Sequence, residues 1–152
     1  MEVRVLKFNS EYLNDIAASF VESFPEWSMK EAKNYLLQAD SVCPGYCWVA
    51  VSDKGKPLGA IFSKICPYNN GKMIFIESLQ IIKKYREKGV GTLLMEKLLN
   101  IAKENKIKNM GMLVSKRKKF PMVWFKMMGF KETGWIELAA DIVNIRIIDV
   151  SR

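Results

Sequence analysis

Residues Met73 to Asn105 read MIFIESLQIIKKYREKGVGTLLMEKLLNIAKEN, and this stretch decides the fold. Its first part, with Ile74, Phe75, Ile76, Leu79, Ile81 and Ile82, is rich in the β-branched and aromatic side chains that suit a buried pleated surface, so it predicts a strand. From Gly91 or Thr92 onward, Leu94, Leu98, Ile101 and Ala102 recur at helical spacing, while Glu96, Lys97, Lys103 and Glu104 fall on the other face. Between strand and helix lies Arg86-Glu87-Lys88-Gly89-Val90-Gly91. Two glycines at a helix start let backbone approach a ligand closely. The first helical turn also presents N–H groups without internal acceptors at the positive end of the helix dipole, a geometry that suits a pyrophosphate. Arg86 adds a fixed positive charge.

Two familiar phosphate loops do not fit. A dinucleotide fingerprint needs a third glycine where this chain has Leu94, and a P-loop needs Gly-Lys-Ser/Thr where it has Gly91-Thr92-Leu93. What remains is R-x-x-G-x-G.

Outward from this stretch, the chain reads as a series of short elements. Glu2 to Phe8 alternates as a strand, and Asn9 or Ser10 can cap a helix whose stripe is Leu13, Ile16, Ala17, Phe20, Val21 and Phe24. Ser28-Met29-Lys30-Glu31 is a capping box, which predicts a second helix to about Ala39 with Ala32, Tyr35, Leu36 and Ala39 inward. Tyr46 to Ser52 and Pro57 to Cys66 form a hairpin over Asp53 to Lys56, and Asn70-Gly71 turns the chain into the Met73 strand. After the long helix come a short strand, Asn109 to Ser115, expected to pair in parallel, a basic turn Lys116 to Lys119, and a helix from Phe120 to Met128 closed by Gly129. Two last strands are expected at Phe130 to Leu138 and Asp141 to Val150.

The motif and the order of elements together resemble the GNAT superfamily of N-acetyltransferases, whose signature is Q/R-x-x-G-x-G/A, and the resemblance covers essentially all of residues 1–152 as one GNAT-like domain. It implies an α/β (α+β) fold with a mixed, mostly antiparallel central sheet of about seven strands flanked by about four helices. It also implies acetyl-coenzyme A as acyl donor, held at Arg86, Glu87, Lys88, Gly89, Val90, Gly91 and Thr92. Main-chain groups of Leu79, Gln80, Ile81 and Ile82 would bond the pantetheine arm and the oxyanion, where the fourth and fifth strands splay apart. Lys83, Lys84, Lys88 and Lys116 to Lys119 surround that expected groove and could meet the ribose phosphate.

Transfer of an acetyl group to an amine needs a neutral amine, and a primary amine with a pKa of about 10.4 is mostly protonated at neutral pH. A carboxylate near the acceptor can collect that proton, directly or through water, and Glu77 is the candidate catalytic residue, the alternative being an ordinary surface ion pair. It sits nine residues before Arg86, on the face of Leu79 and Ile81 if alternation is regular. The general acid of the family is commonly a tyrosine four residues before the glycine of a closing Gly-Phe. Here Trp124 to Phe130 preserves the ending but puts Phe125 in the tyrosine's place, and Lys118 in that of an upstream asparagine. Phenylalanine has no proton to give. Tyr68, Tyr85, Cys66 or water could replace it. A covalent route through Cys66 lacks an activating base, so direct transfer is expected. The alternative is a GNAT-like module that senses acyl-coenzyme A or binds a partner without turnover. Phe20, Phe24 and Trp27, with Tyr46 and Trp48, could floor an acceptor pocket or simply pack in the core.

Size and composition agree with this reading. A chain of 152 residues buries roughly two thirds of its unfolded surface in one core, and 49% apolar with 26% charged residues is globular composition. The first sixteen residues alternate charge with apolar side chains, unlike a signal or transit peptide, and no apolar run is long enough to cross a bilayer. Three cysteines at unsuitable spacing and no histidine argue against a zinc site and for reduced thiols in a cytoplasmic protein. The formal charge of +8 favours anionic ligands. An amine-bearing acceptor is the expected partner, with no metal and no membrane. Nucleic acid is the weaker reading, because the Lys116 to Lys119 run lacks interleaved aromatics, and a homodimer is left open.

Overall fold

A computed structural model describes residues 2–148. The chain divides into two compact units, Met1–Leu113 and Val114–Arg152.

The first unit is a five-stranded sheet in the order β1-β2-β3-β4-β5, built from β1 (Val3–Lys7), β2 (Cys47–Ser52), β3 (Pro57–Tyr68), β4 (Gly71–Ile81) and β5 (Asn109–Met112). The first four strands pair antiparallel and β5 joins β4 in parallel, as a helical crossover requires. Helices α1 (Leu13–Ser23) and α2 (Met29–Val42) lie on one face, and the crossover helix α3 (Val90–Glu104) packs on the strands from the other. The sheet is mixed and mostly antiparallel, as expected.

Local chemistry accounts for the element boundaries. The Asn9 side chain accepts the Glu11 N–H at 2.9 Å and opens a short 3-10 turn into α1. The Ser28 capping box forms in both directions, at 3.1 and 3.2 Å, and α2 then runs three residues past the expected end. The β3–β4 hairpin turns one residue earlier than expected, over Asn69-Asn70. Both adopt positive φ, 42° and 66°, the conformation that a twisted two-residue hairpin loop needs and that asparagine tolerates.

The core has two sides. Phe8, Ile16, Ala17, Phe20, Leu36, Val49, Ala60 and Phe62 cluster beneath α1 and α2. On the other side, Lys97 of α3 stands 4.3 Å above the Trp48 ring. Trp48 neighbours Ile61, and Ile61 neighbours Leu79, so that row of the sheet faces α3.

In the second unit, α4 (Lys119–Met127) is the fourth helix. Gly129, at φ 106°, closes it through Gly129 N–H to Lys126 C=O and Phe130 N–H to Phe125 C=O. The two last strands expected at Phe130 to Leu138 and Asp141 to Val150 are not formed among the described residues, so the sheet has five strands rather than about seven. Asp149 and Val150 lie outside the described residues. Ile142–Asn144 is a 3-10 turn instead. The physical reason is local: Gly134, at φ 83°, breaks the first run, and Ala139-Ala140 between the runs supplies none of the glycine or asparagine that a tight hairpin turn requires. Apolar alternation alone cannot hold a strand without a ladder partner.

Candidate active site

Ladder irregularity, rather than composition, marks the site. Phe62 pairs with Ser78, but the next residue of β3, Ser63, pairs with Ile76, so Glu77 is an extra residue in β4 with no partner across the ladder. This β-bulge re-aims the side chains around it, as bulges beside functional sites commonly do. Ser78 lies with Phe62 on the α1–α2 side and Leu79 with Ile61 on the α3 side. Glu77 also reaches the α1–α2 side, because Tyr35 of α2 donates to its Oε2 at 3.1 Å. Regular alternation would have grouped Glu77 with Leu79 and Ile81. The bulge puts them on opposite faces.

The Glu77 carboxylate is held at both oxygens. Besides the Tyr35 phenol on Oε2, Lys64 Nζ lies 2.7 Å from Oε1, and the same phenol also meets the Glu77 carbonyl at 3.3 Å. The Glu77 side chain is 21% exposed and that of Lys64 39%. Burial, then the adjacent carboxylate charge, pushes the Tyr35 hydroxyl up from 10.0 to about 12. Hydrogen bonding to Glu77 likewise raises Lys64 above the ordinary lysine value. Sequence reasoning missed Tyr35 and Lys64 as site residues. The available signals were a phenol on an otherwise apolar helical stripe, which needs a partner when buried, and one lysine amid a strand of mostly apolar residues.

Beyond the bulge, β4 loses its neighbour. Pairing with β5 ends at Ile76 and Met112, whereas β4 continues to Ile81. Its edge from Glu77 to Ile81 therefore has no ladder partner on that side among the described residues. Buried Gln80 donates to buried Ser78 at 3.1 Å. The Ile82 N–H is used by Leu58 C=O at 2.9 Å, and the Ile81 carbonyl accepts from Arg86 Nε at 3.0 Å.

That Arg86 bond folds the turn back on the end of β4. Glu87 and Gly89 both adopt positive φ, 63° and 82°, and Gly89 caps α3 without any side-chain bond. The first N–H groups of α3, from Val90, Gly91 and Thr92, have no acceptors within the helix, and a Cβ built on Gly89 would meet nothing within 4 Å. Arg86, Glu87, Lys88 and Gly89 are exposed. These residues and the free β4 edge fit the demands of a phosphate-bearing ligand with an amide-containing arm: donors in a cluster, open space at the glycine, and unpaired main chain beside it.

Other candidates separate. Tyr46 is bonded by Asn105 of α3's C-terminal cap at 2.8 Å, and Trp48 lies under Lys97 of α3. They therefore do not join Phe20, Phe24 and Trp27 on a common pocket floor. Instead Phe20, Trp27 and Tyr35 stack together, with Trp27 and Tyr35 centroids 5.3 Å apart. Tyr68 sits at the hairpin end of β3, and Cys66 two residues beyond Lys64, while Tyr85 stands under the Lys84 ammonium at 5.1 Å. Lys83 is 4.0 Å from Glu22. A cavity of about 260 Å³ opens between α1 and the start of β3, lined by Asp15, Glu22, Lys56 and Lys84 among others, and contains neither Glu77 nor the Gly89 turn. In the second unit, Phe125 packs edge-on against Trp124 and Phe130. No cluster of three potential metal ligands, and no helix long and apolar enough to cross a membrane, occurs among the described residues.

The profile of the acetyltransferase (GNAT) family matches residues 11–130. No curated protein matches the chain. Solved structures similar to it include the aminoglycoside N-acetyltransferase AAC(6')-Iy in complex with CoA, at 16% identity and a TM-score of 0.72 over 93% of this chain and 95% of that one. The aminoglycoside 6'-N-acetyltransferase AAC(6')-Ih from Acinetobacter baumannii is 16% identical with a TM-score of 0.71, over 92% and 98% of the two chains. Ard1 from Thermoplasma volcanium is 17% identical with a TM-score of 0.75, over 86% and 84%. At these identities the structures attest the fold. With the family profile spanning most of the sequence, the chain belongs to the GNAT family of acetyltransferases.

Proposed function

We propose that this protein, acting as one domain over residues 1–152, transfers an acetyl group from acetyl-coenzyme A directly to a primary amine of a small molecule or protein. The observation that carries the reading is the placement of Glu77: a half-buried carboxylate on a bulge, at the head of an unpaired strand edge that leads to the Arg86 to Thr92 turn.

Residue roles follow from that placement. The N–H groups of Val90, Gly91 and Thr92, with Lys88 and the free guanidinium nitrogens of Arg86, hold the pyrophosphate. The main chain of Leu79 to Ile81 offers its free edge to the pantetheine amides and to the oxyanion. Ile82 N–H bonds to Leu58 of β3 and Ile81 C=O accepts from Arg86. Gln80, opposite Ala60, falls in the same ladder phase as Ile82 and also turns its main chain toward β3, so the Leu79 main chain and the Ile81 N–H are the better placed. The coenzyme supplies an acyl group activated as a thioester. Glu77 binds the acceptor's ammonium and accepts its proton, directly or through water, leaving a lone pair able to attack. Tyr35 keeps the carboxylate oriented toward that task. With no phenol at Phe125, the departing sulfur takes its proton from water, and the hydroxide left behind takes the second proton that the acylated nitrogen sheds.

Calorimetric titration with acetyl-coenzyme A, followed by thiol release against a panel of amines, tests the reading. Binding with thiol release is expected. Replacing Gly91 by tryptophan should abolish coenzyme binding, and unchanged affinity in that variant would refute the placement. A second reading rests on Phe125: a coenzyme-binding sensor or partner-binding module that lacks turnover. Binding without thiol release on any amine favours it, and a gain of rate in Phe125→Tyr would show that the missing phenol limits catalysis.

A further inference from the structure

We propose that the Lys64 ammonium is a tethered occupant of the acceptor subsite, that an incoming substrate amine must displace it from Glu77, and that the subsite therefore selects primary ammonium groups on slim alkyl stems. This rests on the assignment of Glu77 as the acceptor-binding carboxylate.

The argument starts from what surrounds that ammonium. Nζ of Lys64 lies 2.7 Å from Glu77 Oε1 and 5.7 Å from the centroid of the Phe75 ring. The Tyr35 phenol holds the opposite carboxylate oxygen. Carboxylate on one side and aromatic face on another is the recognition chemistry of an alkylammonium. Lys64 and Phe75 are cross-strand neighbours on β3 and β4, and the bulge brings Glu77 onto the same side. The ladder itself thus assembles the subsite. Glu77 is the only acidic residue in strands β2 to β5, so no other carboxylate in the sheet competes for the role.

Lys64 is suited to be exchanged rather than permanent. Its side chain is 39% exposed, and an ion pair open to water to that degree is held weakly. Tyr35, by contrast, comes from a helix packed on the sheet and touches Glu77 at two atoms. The arrangement keeps a half-buried carboxylate compensated while the site waits, and it leaves Oε1 to whichever ammonium is present. An aromatic or bulky secondary amine could not follow the path of a lysine stem.

The test uses 1,5-diaminopentane, a slim alkyl diammonium, titrated calorimetrically into the protein without coenzyme, and into Lys64→Met and Glu77→Gln. Removing the internal competitor should tighten diamine binding roughly fivefold in Lys64→Met, and Glu77→Gln should lose it. Aniline should show no gain in either variant. Equal or weaker diamine binding in Lys64→Met overturns the proposal. If that variant does not fold, Lys64→Gln, which keeps a polar head without charge, carries the same expectation. Failure of the underlying reading looks different: absence of acetyl transfer to every amine defeats the enzyme assignment while diamine binding still reports on the subsite. Transfer that proceeds with diamine affinity unaltered by Lys64→Met defeats only the occupancy of the subsite by Lys64.

Discussion

Tyr35 and Glu77 are joined by one phenol that meets both the side chain and the main chain of the glutamate, at 3.1 Å from Oε2 and 3.3 Å from the carbonyl oxygen. An element of the helical layer thereby fixes the one residue of β4 that the ladder leaves unpaired. Tyr35→Phe should reduce stability by about 1 kcal/mol, the usual net value of a hydrogen bond, read from urea unfolding. In an amine-acetylation assay it should lower kcat, because the carboxylate loses its orienting donor. A variant with wild-type kinetics and reduced stability alone would assign Tyr35 a purely structural role.

Two groups with large upward shifts dominate alkaline stability. The Tyr35 hydroxyl rises from 10.0 to about 12 through burial and the Glu77 charge, and the Cys47 thiol from 9.0 to about 12, chiefly through burial. Both bind their proton more tightly folded than unfolded. Their contributions are complete below the unfolded values and disappear as pH climbs toward 12. The urea midpoint should therefore fall progressively above pH 9. In Cys47→Ala the fall should begin only near pH 10, where Tyr35, with Tyr12 and then Lys64, loses its proton first in the unfolded chain.

Cys47 should also be chemically silent in the native state. It is buried with its Sγ against the carbonyls of Ala39 and Ser63, whereas Cys43 and Cys66 are half-buried. Thiolate, not thiol, reacts. Iodoacetamide at pH 8 followed by peptide mass mapping should leave Cys47 unmodified until denaturant is added.

Gly59 tests the packing of the hairpin under the site. A Cβ there would lie 2.8 Å from the Gln80 carbonyl oxygen, 2.8 Å from Ile81 Cδ1 and 3.3 Å from Ile81 Cα. The side-chain carbon can swing away, but the two backbone atoms belong to a paired strand. Gly59→Ala should cost about 1–3 kcal/mol, seen as a lower urea midpoint.

Gly89 offers the opposite case. Its φ of 82° disfavours any L side chain, yet a Cβ would meet nothing within 4 Å. Gly89→Ala should lose only about 1 kcal/mol, from backbone strain. Coenzyme affinity should suffer in addition, since the methyl group would project into the open space where the pyrophosphate is proposed to sit. Calorimetry beside urea unfolding separates the two effects.

Much of this was legible in the residues. The strand character of β1 to β4, the capping box at Ser28, the stripe of α3 and the Arg86 to Gly91 turn are local signals, and each appears within about two residues of where sequence places it. Short-range chemistry sets them: side-chain caps, glycine torsions and periodic burial act within a few residues and do not depend on what lies across the molecule.

What sequence alone could not decide was pairing. Apolar runs at Phe130 to Leu138 and Asp141 to Ile148 have strand composition but no ladder partner among the described residues, because a strand is completed by a neighbour rather than by its own residues. Glu77 shows the same limit at atomic scale. Its residue type marked it as a candidate, but a shift of one residue between β3 and β4 turned it away from Leu79 and toward Tyr35 and Lys64. The chain's own local preferences determined its elements and its phosphate-suited turn. Only the tertiary register decided which carboxylate, phenol and ammonium would meet, since those contacts join residues 13 and 42 positions apart.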